Sequence, residues 1–205
     1  MKKRFVAVLV VTVLGMIGIA GMASAQVATT ALPDRVESAV LEALTGPDGE
    51  YAAYASYAAV LETYGDVEPY ATIAEAELRH IEALQRLLDK YGVAYPTMNP
   101  YLGTISAPAD LSTAAQAWAD GEVANVLLYD ELIEKVGGYA DITRVFTNLR
   151  RASLEAHLPA FQLAADNGGT LVPEQIGDQA ASSSCNGGKR YAAGNTGMIH
   201  GPGRK

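Results

Sequence analysis

Cysteine is nearly absent from this chain, which has one, Cys185, in 205 residues. A single thiol cannot form a disulfide within the chain, so a disulfide-stabilised domain is excluded. Aromatic residues are also few, at 7%, with one tryptophan and three phenylalanines, whereas alanine is abundant. This composition favours closely packed helices over a β-sandwich. Apolar residues nevertheless make up 49%, which is enough for a real core.

Basic residues are outnumbered by acidic ones, 15 to 23, and the formal net charge is -8. Nucleic acid is therefore not an expected partner, because affinity for a phosphate backbone comes from clustered Lys and Arg. The sequence also lacks a Cys-x-x-Cys-His motif, a phosphate-binding glycine loop and a serine-triad signature.

The first 25 residues have the three parts of a secretory signal peptide. Lys2, Lys3 and Arg4 precede an apolar run over 5–22, and Ala-Ser-Ala follows at 23–25. The run approaches the length of a membrane-spanning helix, so a retained anchor is the alternative. Glycines within the run and the small-residue site favour cleavage after Ala25. We therefore expect a secreted, periplasmic or cell-surface protein with no stable membrane anchor.

The helix start and stop signals in residues 34–166 predict an all-α helical bundle, and residues 26–33 are predicted to be a linker. A short helix is predicted over 34–44, followed by four long ones over about 48–64, 69–91, 111–136 and 141–166. Three prolines and a glycine between 93 and 109 exclude a regular helix there. They predict a long crossover between the second and third long helices. Pro159 is expected to kink the last helix.

The chain from 167 to 205 is rich in Gly, Ser, Ala and Asn, a composition typical of a disordered tail. The tail contains Cys185 and His200. A redox thiol or a second metal site is the alternative interpretation of these two residues, and an unstructured segment is the preferred one.

Each of the four long helices carries a metal-binding residue on its apolar face. The candidate ligands are Glu50, Glu77, His80, Glu122 and His157. Glu77 and His80 are one helical turn apart, so both can reach a single ion. Burying carboxylates beside Tyr and Leu is costly unless a charge such as a divalent cation compensates. The alternative for Glu77 and His80 is a solvated helix face, since charged neighbours lie between 75 and 82.

Carboxylate and imidazole donors together suit iron and manganese, and they also accept zinc. In four-helix bundles, inward Glu residues with Glu-x-x-His motifs build di-iron or di-manganese sites. Haem binding through His80 and His157 is disfavoured, because a haem pocket is largely apolar and carboxylates lie beside these histidines. A non-catalytic bundle that sequesters metal, or a purely structural one, is the alternative to an enzyme.

Several segments resemble a known family. EYAAY at 50–54 and LETYG at 61–65 resemble the first helix of ferritin-like proteins. IAEAELRH at 73–80 and LLDKYG at 87–92 are similar, more specifically, to the bacterial and archaeal domain-of-unknown-function family 2202 (DUF2202), as are parts of 148–161. The resemblance covers the whole bundle, from 34 to 166.

This resemblance implies a ferritin-like four-helix bundle with a carboxylate-bridged di-iron centre of ferroxidase or peroxidase type, acting on O₂ or peroxide. It places all five candidate ligands on ligand positions of the ferritin-like pattern. One position departs from the ferritin-like pattern. A symmetric site has a Glu three residues before the histidine of the last helix, His157, and this chain has Leu154 there. Glu155 is the nearest carboxylate, but it lies on the wrong face of a regular helix. The last helix is also one residue longer than the family pattern, and a π-bulge would absorb that residue.

Overall fold

The computed structural model describes residues 31–172 and Gln175. The predicted signal peptide, most of the linker and the segment containing Cys185 and His200 lie outside the described residues. Within the described part the chain is all-helical, as predicted, and its β contact is a single bridge between Glu68 and Leu171.

The described residues form six α-helices and one π-helical segment. These are α1 (Asp34–Thr45), α2 (Glu50–Tyr64), α3 (Tyr70–Tyr91), α4 (Leu111–Lys135), α5 (Ala140–Ala152), the π segment (Ser153–His157) and α6 (Leu158–Asp166). The last three elements are continuous and together form the fourth long helix. Among the described helices, none combines the length and the apolar character needed to cross a membrane.

The predicted crossover joins α3 to α4 over residues 92–110. Gly92 ends α3 with φ 69°, a left-handed conformation that favours glycine, and its N–H donates to the carbonyls of Leu88 and Asp89. Asp110 begins α4, because its Oδ1 accepts a hydrogen bond of 2.7 Å from the Thr113 N–H. Both boundaries were expected from the sequence.

Two apolar clusters make up the core. The first holds most of the buried face of α1, with Leu84 of α3, Leu132 of α4 and Phe146 of α5. The second holds Val60 of α2 and Phe161 of α6, together with buried residues near the starts of α3 and α4. Along α3 and along α4 the chain passes from the second cluster to the first. These two helices therefore run in the same direction, which is why a long crossover must join them.

Side chains fasten the crossover to the bundle. The Tyr51 hydroxyl donates to the Pro96 carbonyl at 2.6 Å, and the Asn99 amide donates to the Tyr51 carbonyl at 2.7 Å. The Tyr101 hydroxyl donates to the Thr45 carbonyl at 2.8 Å. The middle of the crossover is thereby held against the start of α2, close to Glu50.

The chain stays in contact with the bundle beyond the end of α6. The Leu171 N–H donates to the Glu68 carbonyl at 2.8 Å. The Leu171 side chain is 6% exposed and belongs to the second apolar cluster. The packed unit thus extends past residue 166, the end predicted for it.

Candidate metal centre

All five candidate ligands are buried between the two apolar clusters. Their exposed fractions are 1% for Glu50, 1% for Glu77, 0% for His80, 2% for Glu122 and 0% for His157. The alternative of a solvated face for Glu77 and His80 is therefore excluded. Carboxylates are almost never fully buried without a partner, so the cluster requires a compensating charge.

The helices supply these side chains from four directions. Glu50 is the first residue of α2, Glu77 and His80 lie mid-way along α3, and Glu122 lies mid-way along α4. His157 is the last residue of the π segment. On α3, on α4 and on the last helix, the ligand lies between residues of the two apolar clusters, which is how an apolar stripe brings a polar group into the core.

Glu77 lies at the middle of the cluster and uses both carboxylate oxygens. The His80 Nδ1–H donates to Glu77 Oε2 at 2.9 Å and lies 3.3 Å from Glu50 Oε2. On the other side, His157 Nδ1 lies 3.0 Å from Glu77 Oε1 and 3.4 Å from Glu122 Oε1. Glu77 is therefore shared by two groups, one with Glu50 and His80 and the other with Glu122 and His157.

Each group can supply three donor atoms to one cation. The donor atoms of Glu50, Glu77 and His80 all lie within 4.8 Å of one another, and so do those of Glu77, Glu122 and His157. His157 Nδ1 makes no hydrogen bond to any described residue, although two carboxylate oxygens surround it. A buried nitrogen in that position is suited to a cation lying between it and the carboxylates. The donor set fits iron, manganese or zinc.

Two tyrosines hold the outer carboxylates. The Tyr129 hydroxyl on α4 donates to Glu50 Oε1 on α2, and the Tyr57 hydroxyl on α2 donates to Glu122 Oε1 on α4. The two bonds are reciprocal, since each helix gives a carboxylate and receives a phenol. Hydrogen bonds of this kind orient ligating carboxylates.

Burial and charge set opposite protonation states for the carboxylates of Glu50 and Glu77. Burial raises the pKa of Glu50 to about 8, and the negative charge of Glu77 acts in the same direction. Burial also opposes ionisation of Glu77, but the charge of His80 and hydrogen bonds outweigh it and hold the pKa of Glu77 well below its usual range. Without a metal, Glu77 is thus the ionised centre of the cluster and Glu50 is neutral at pH 7.

The histidines are cationic in the same state. Burial disfavours their charge, yet Glu77 and Glu50 together hold the pKa of His80 well above its usual value. For His157, the charge of Glu122 and the nearby Glu77 overcome burial and raise the pKa to about 9. The two rings are stacked, with centroids 5.5 Å apart and planes 23° from parallel. The repulsion between two cationic rings at this distance is offset by the carboxylates between them.

The last helix contains a π segment, as the extra residue indicated, but the segment does not turn Glu155 inward. Glu155 is exposed, and Leu154 is 39% exposed. Ser153 is instead the buried residue one turn before His157, and its hydroxyl donates to Asn125 Oδ1 at 2.8 Å. The described cluster therefore contains three carboxylates, and Glu155 is not one of them.

Sequence reasoning assigned no role at the site to Tyr57 or Tyr129. A signal was present, because Tyr57 follows Glu50 by seven residues and Tyr129 follows Glu122 by the same interval. That spacing puts each tyrosine two turns from a carboxylate on the same helix face. It does not reveal that each hydroxyl crosses to the other helix.

Comparison of the chain with protein-family models, with curated proteins and with solved structures gave no match. The site is therefore interpreted from its own geometry.

Proposed function

We propose that this chain is an exported, ferritin-like metal-binding protein whose buried cluster holds two iron ions, with manganese or zinc as the other ions that its donors accept. We propose further that it oxidises Fe(II) or reduces O₂ or peroxide at that centre. The motifs that resemble DUF2202, the all-helical bundle and the leader-like first 25 residues support the proposal together.

The observation that carries the proposal is the position of Glu77. Its Oε2 faces His80 and its Oε1 faces His157, so one carboxylate serves both three-residue groups. A carboxylate that joins two groups of donors is the arrangement expected of a bridging ligand in a four-helix bundle.

The remaining residues of the site have separate roles. Glu50 and Glu122 would each complete one of the two three-residue ligand groups. Tyr129 holds Glu50 in place, and Tyr57 holds Glu122. Bound iron would supply electrons, one from each ion, to O₂ or peroxide. The apolar clusters on either side keep bulk water from the carboxylates and the imidazoles. His80 and His157 carry protons at Nδ1 that leave when a cation takes their place.

A specific observation favours a second candidate function, metal sequestration without catalysis. Glu155 is exposed and Leu154 is not a ligand type, so the last helix supplies an imidazole but no carboxylate. With a single bridging carboxylate, the centre has fewer anionic ligands than a symmetric di-iron site. Such a centre could hold ions without supporting oxygen chemistry.

Metal content and turnover, measured on matched variants, test the proposal. The metal-free mature chain is loaded anaerobically with Fe(II), and bound iron per chain is measured. We expect about two ions in the parent. Glu77→Gln, which removes the shared charge, should retain fewer than one ion per chain. Glu75→Gln changes an exposed carboxylate on the same helix and should load like the parent.

Consumption of peroxide or O₂ by the iron-loaded parent then separates the two candidates. Turnover that is lost in Glu77→Gln and kept in Glu75→Gln supports an oxidoreductase. Full loading without turnover supports sequestration. A parent chain that binds no iron, manganese or zinc would overturn both.

A further inference from the structure

The five candidate ligands are closed off from solvent, so a metal ion must have a route to them. A cavity of about 340 Å³ lies between α2, α4 and the crossover. Its walls include Ala53 from α2, Ile105 from the crossover, and Trp118 and Gly121 from α4. Its outer end is open to solvent, because two of its lining residues, Asp48 and Gly121, are exposed. The cavity therefore leads from the surface into the bundle.

The inner end of the cavity lies against the candidate metal centre. Glu122 and Tyr57 both line it, although they are only 2% and 3% exposed. The Tyr57 hydroxyl donates to Glu122 Oε1, and the same oxygen lies 3.4 Å from His157 Nδ1. The other four candidate ligands are not among the lining residues, and none of the five lines a second cavity, between α3 and α5. Tyr57 and Glu122 are thus the partition between the cavity and the centre.

The charges along the cavity suit a cation. Its charged lining residues are two carboxylates, those of Asp48 at the outer end and Glu122 at the inner end, and no described Lys, Arg or His lines it. The Asn125 amide donates to the Asp48 carbonyl at 3.0 Å, which fixes the backbone of Asp48 to α4. A cleft lined by one sign of charge raises the local concentration and the association rate of the opposite charge. The cavity therefore attracts a divalent cation and repels an anion.

An ion that passes the partition meets one of the two ligand groups first. His157 Nδ1 is buried without a hydrogen bond to a described residue, and it lies within 3.4 Å of oxygens of both Glu77 and Glu122. The other group lies on the far side of Glu77. We propose that divalent cations enter through this cavity, past Asp48, and first bind the group of Glu77, Glu122 and His157 when the bond from Tyr57 to Glu122 opens. This route rests on the proposed function, since it takes metal binding at the centre as its premise.

The rate of metal loading tests the route separately from metal affinity. The metal-free mature chain is mixed rapidly with excess Co(II), whose visible absorption changes when carboxylate and imidazole ligands replace water. A Cβ added at Gly121 has no atom within 4 Å, so Gly121→Leu narrows the cavity without a backbone clash. Ala53→Leu narrows it from the α2 wall. Each variant should load at least about tenfold more slowly and still reach the metal content of the parent.

A matched control lies on the same helix. Val123→Leu changes an exposed residue of α4 that does not line the cavity, so it should load at the rate of the parent. Parent-like rates in both narrowed variants, at full final metal content, would place the entry elsewhere and overturn the route. If Gly121→Leu does not fold, the rate of Ala53→Leu decides the outcome alone.

The role of Asp48 is tested by charge removal. Asp48→Asn should load about threefold more slowly at low ionic strength, and the difference should shrink as salt is added. Asp66→Asn removes the same charge from an exposed position outside the cavity and should load like the parent. Equal slowing by the two variants would show that net charge alone sets the rate, and would contradict the assignment of Asp48.

The role of Tyr57 is tested against its reciprocal partner. Tyr57→Phe and Tyr129→Phe each free one outer carboxylate, but Tyr129 does not line the cavity. Tyr57→Phe should therefore load about threefold faster than the parent, although it binds metal more weakly, and Tyr129→Phe should load at the parent's rate. Equal rates in the two variants would refute the partition. A parent that binds no metal would overturn the proposed function and the route with it, whereas a parent that loads fully, with narrowed variants that load equally fast, would overturn the route alone.

Discussion

Loading two divalent ions at pH 7 should release three protons from the buried cluster, one each from Glu50, His80 and His157. A metal ligand must be an ionised carboxylate or a neutral imidazole, so the cation displaces whatever protons these groups hold. The metal-free pocket holds all three at pH 7, because the pKa values of Glu50 and His157 are about 8 and about 9 and that of His80 is well above its usual value. Glu77, whose pKa is lowered, contributes none.

Three released protons are far more than would be expected if these groups had unperturbed pKa values. If Glu50 and the two histidines had ordinary pKa values, loading at pH 7 would release about half a proton in total. With three protons released, the product of the two apparent association constants should rise about 1000-fold per pH unit near pH 7. Above pH 8 the count should fall, because Glu50 is then already ionised in the metal-free protein.

Isothermal titration calorimetry measures the count directly. Zn(II) is titrated into metal-free protein at pH 7 in buffers of different ionisation enthalpy, and the dependence of the heat on that enthalpy gives the protons released. Glu50→Gln cannot release a proton at position 50, so its count should be lower by one. Glu75→Gln should match the parent. Fewer than one proton released by a parent that binds two ions would refute the protonation states assigned to Glu50, His80 and His157.

Two further predictions concern the metal-free site and its tyrosines. Tyr57→Phe and Tyr129→Phe each remove the hydroxyl that holds an outer carboxylate, so each should weaken Zn(II) binding about tenfold in competition with a chromophoric chelator. Tyr95→Phe, at a partly buried tyrosine outside the site whose hydroxyl donates to Asp89, should have no such effect. The melting temperature of the metal-free protein should fall from pH 6.5 to 8, because native Glu50 and His157 hold protons in this interval that the unfolded chain has already lost, for Glu50, or is losing, for His157. Calorimetry across that interval checks the sign, and a rise in melting temperature would contradict it.

The helices were predictable because their signals are local. Apolar spacing located their buried faces, Gly92 and Asp110 marked the ends of the crossover, and the run of prolines excluded a helix between them. Pro159 was expected to produce a kink, and the structure has a π segment that ends just before α6, with Pro159 at its first turn. Pro159 has no N–H with which to continue the helical hydrogen-bond ladder, and that ladder changes register in the π segment immediately before it, where the Leu158 N–H donates to the Ser153 carbonyl.

Only those features of the candidate site that depend on a single helix were predictable from the sequence. The spacing of Glu77 and His80 fixed a shared face, and burial in the structure agrees with it. The crossed bonds from Tyr57 to Glu122 and from Tyr129 to Glu50 depend on how α2 and α4 are rotated against each other. That rotation comes from packing of the whole bundle, as does the cavity beside Trp118, and neither has a local sequence signal.

The last prediction concerns the π segment, because this segment decides which residues of the fourth long helix can reach an ion. Its wider turn leaves Ser153 and His157 buried while Leu154 and Glu155 face outward. His157 is therefore the candidate ligand from this helix, and among the residues that the structure describes the second ion position has Glu77 and Glu122 besides it. His157→Ala should retain about one ion per chain, since the group of Glu50, Glu77 and His80 is intact. Glu155→Ala should load like the parent. Metal per chain, measured by mass spectrometry on both variants, tests the assignment: full loading of His157→Ala would exclude this histidine as a ligand, and loss in Glu155→Ala would show that the segment can turn its carboxylate inward when metal binds.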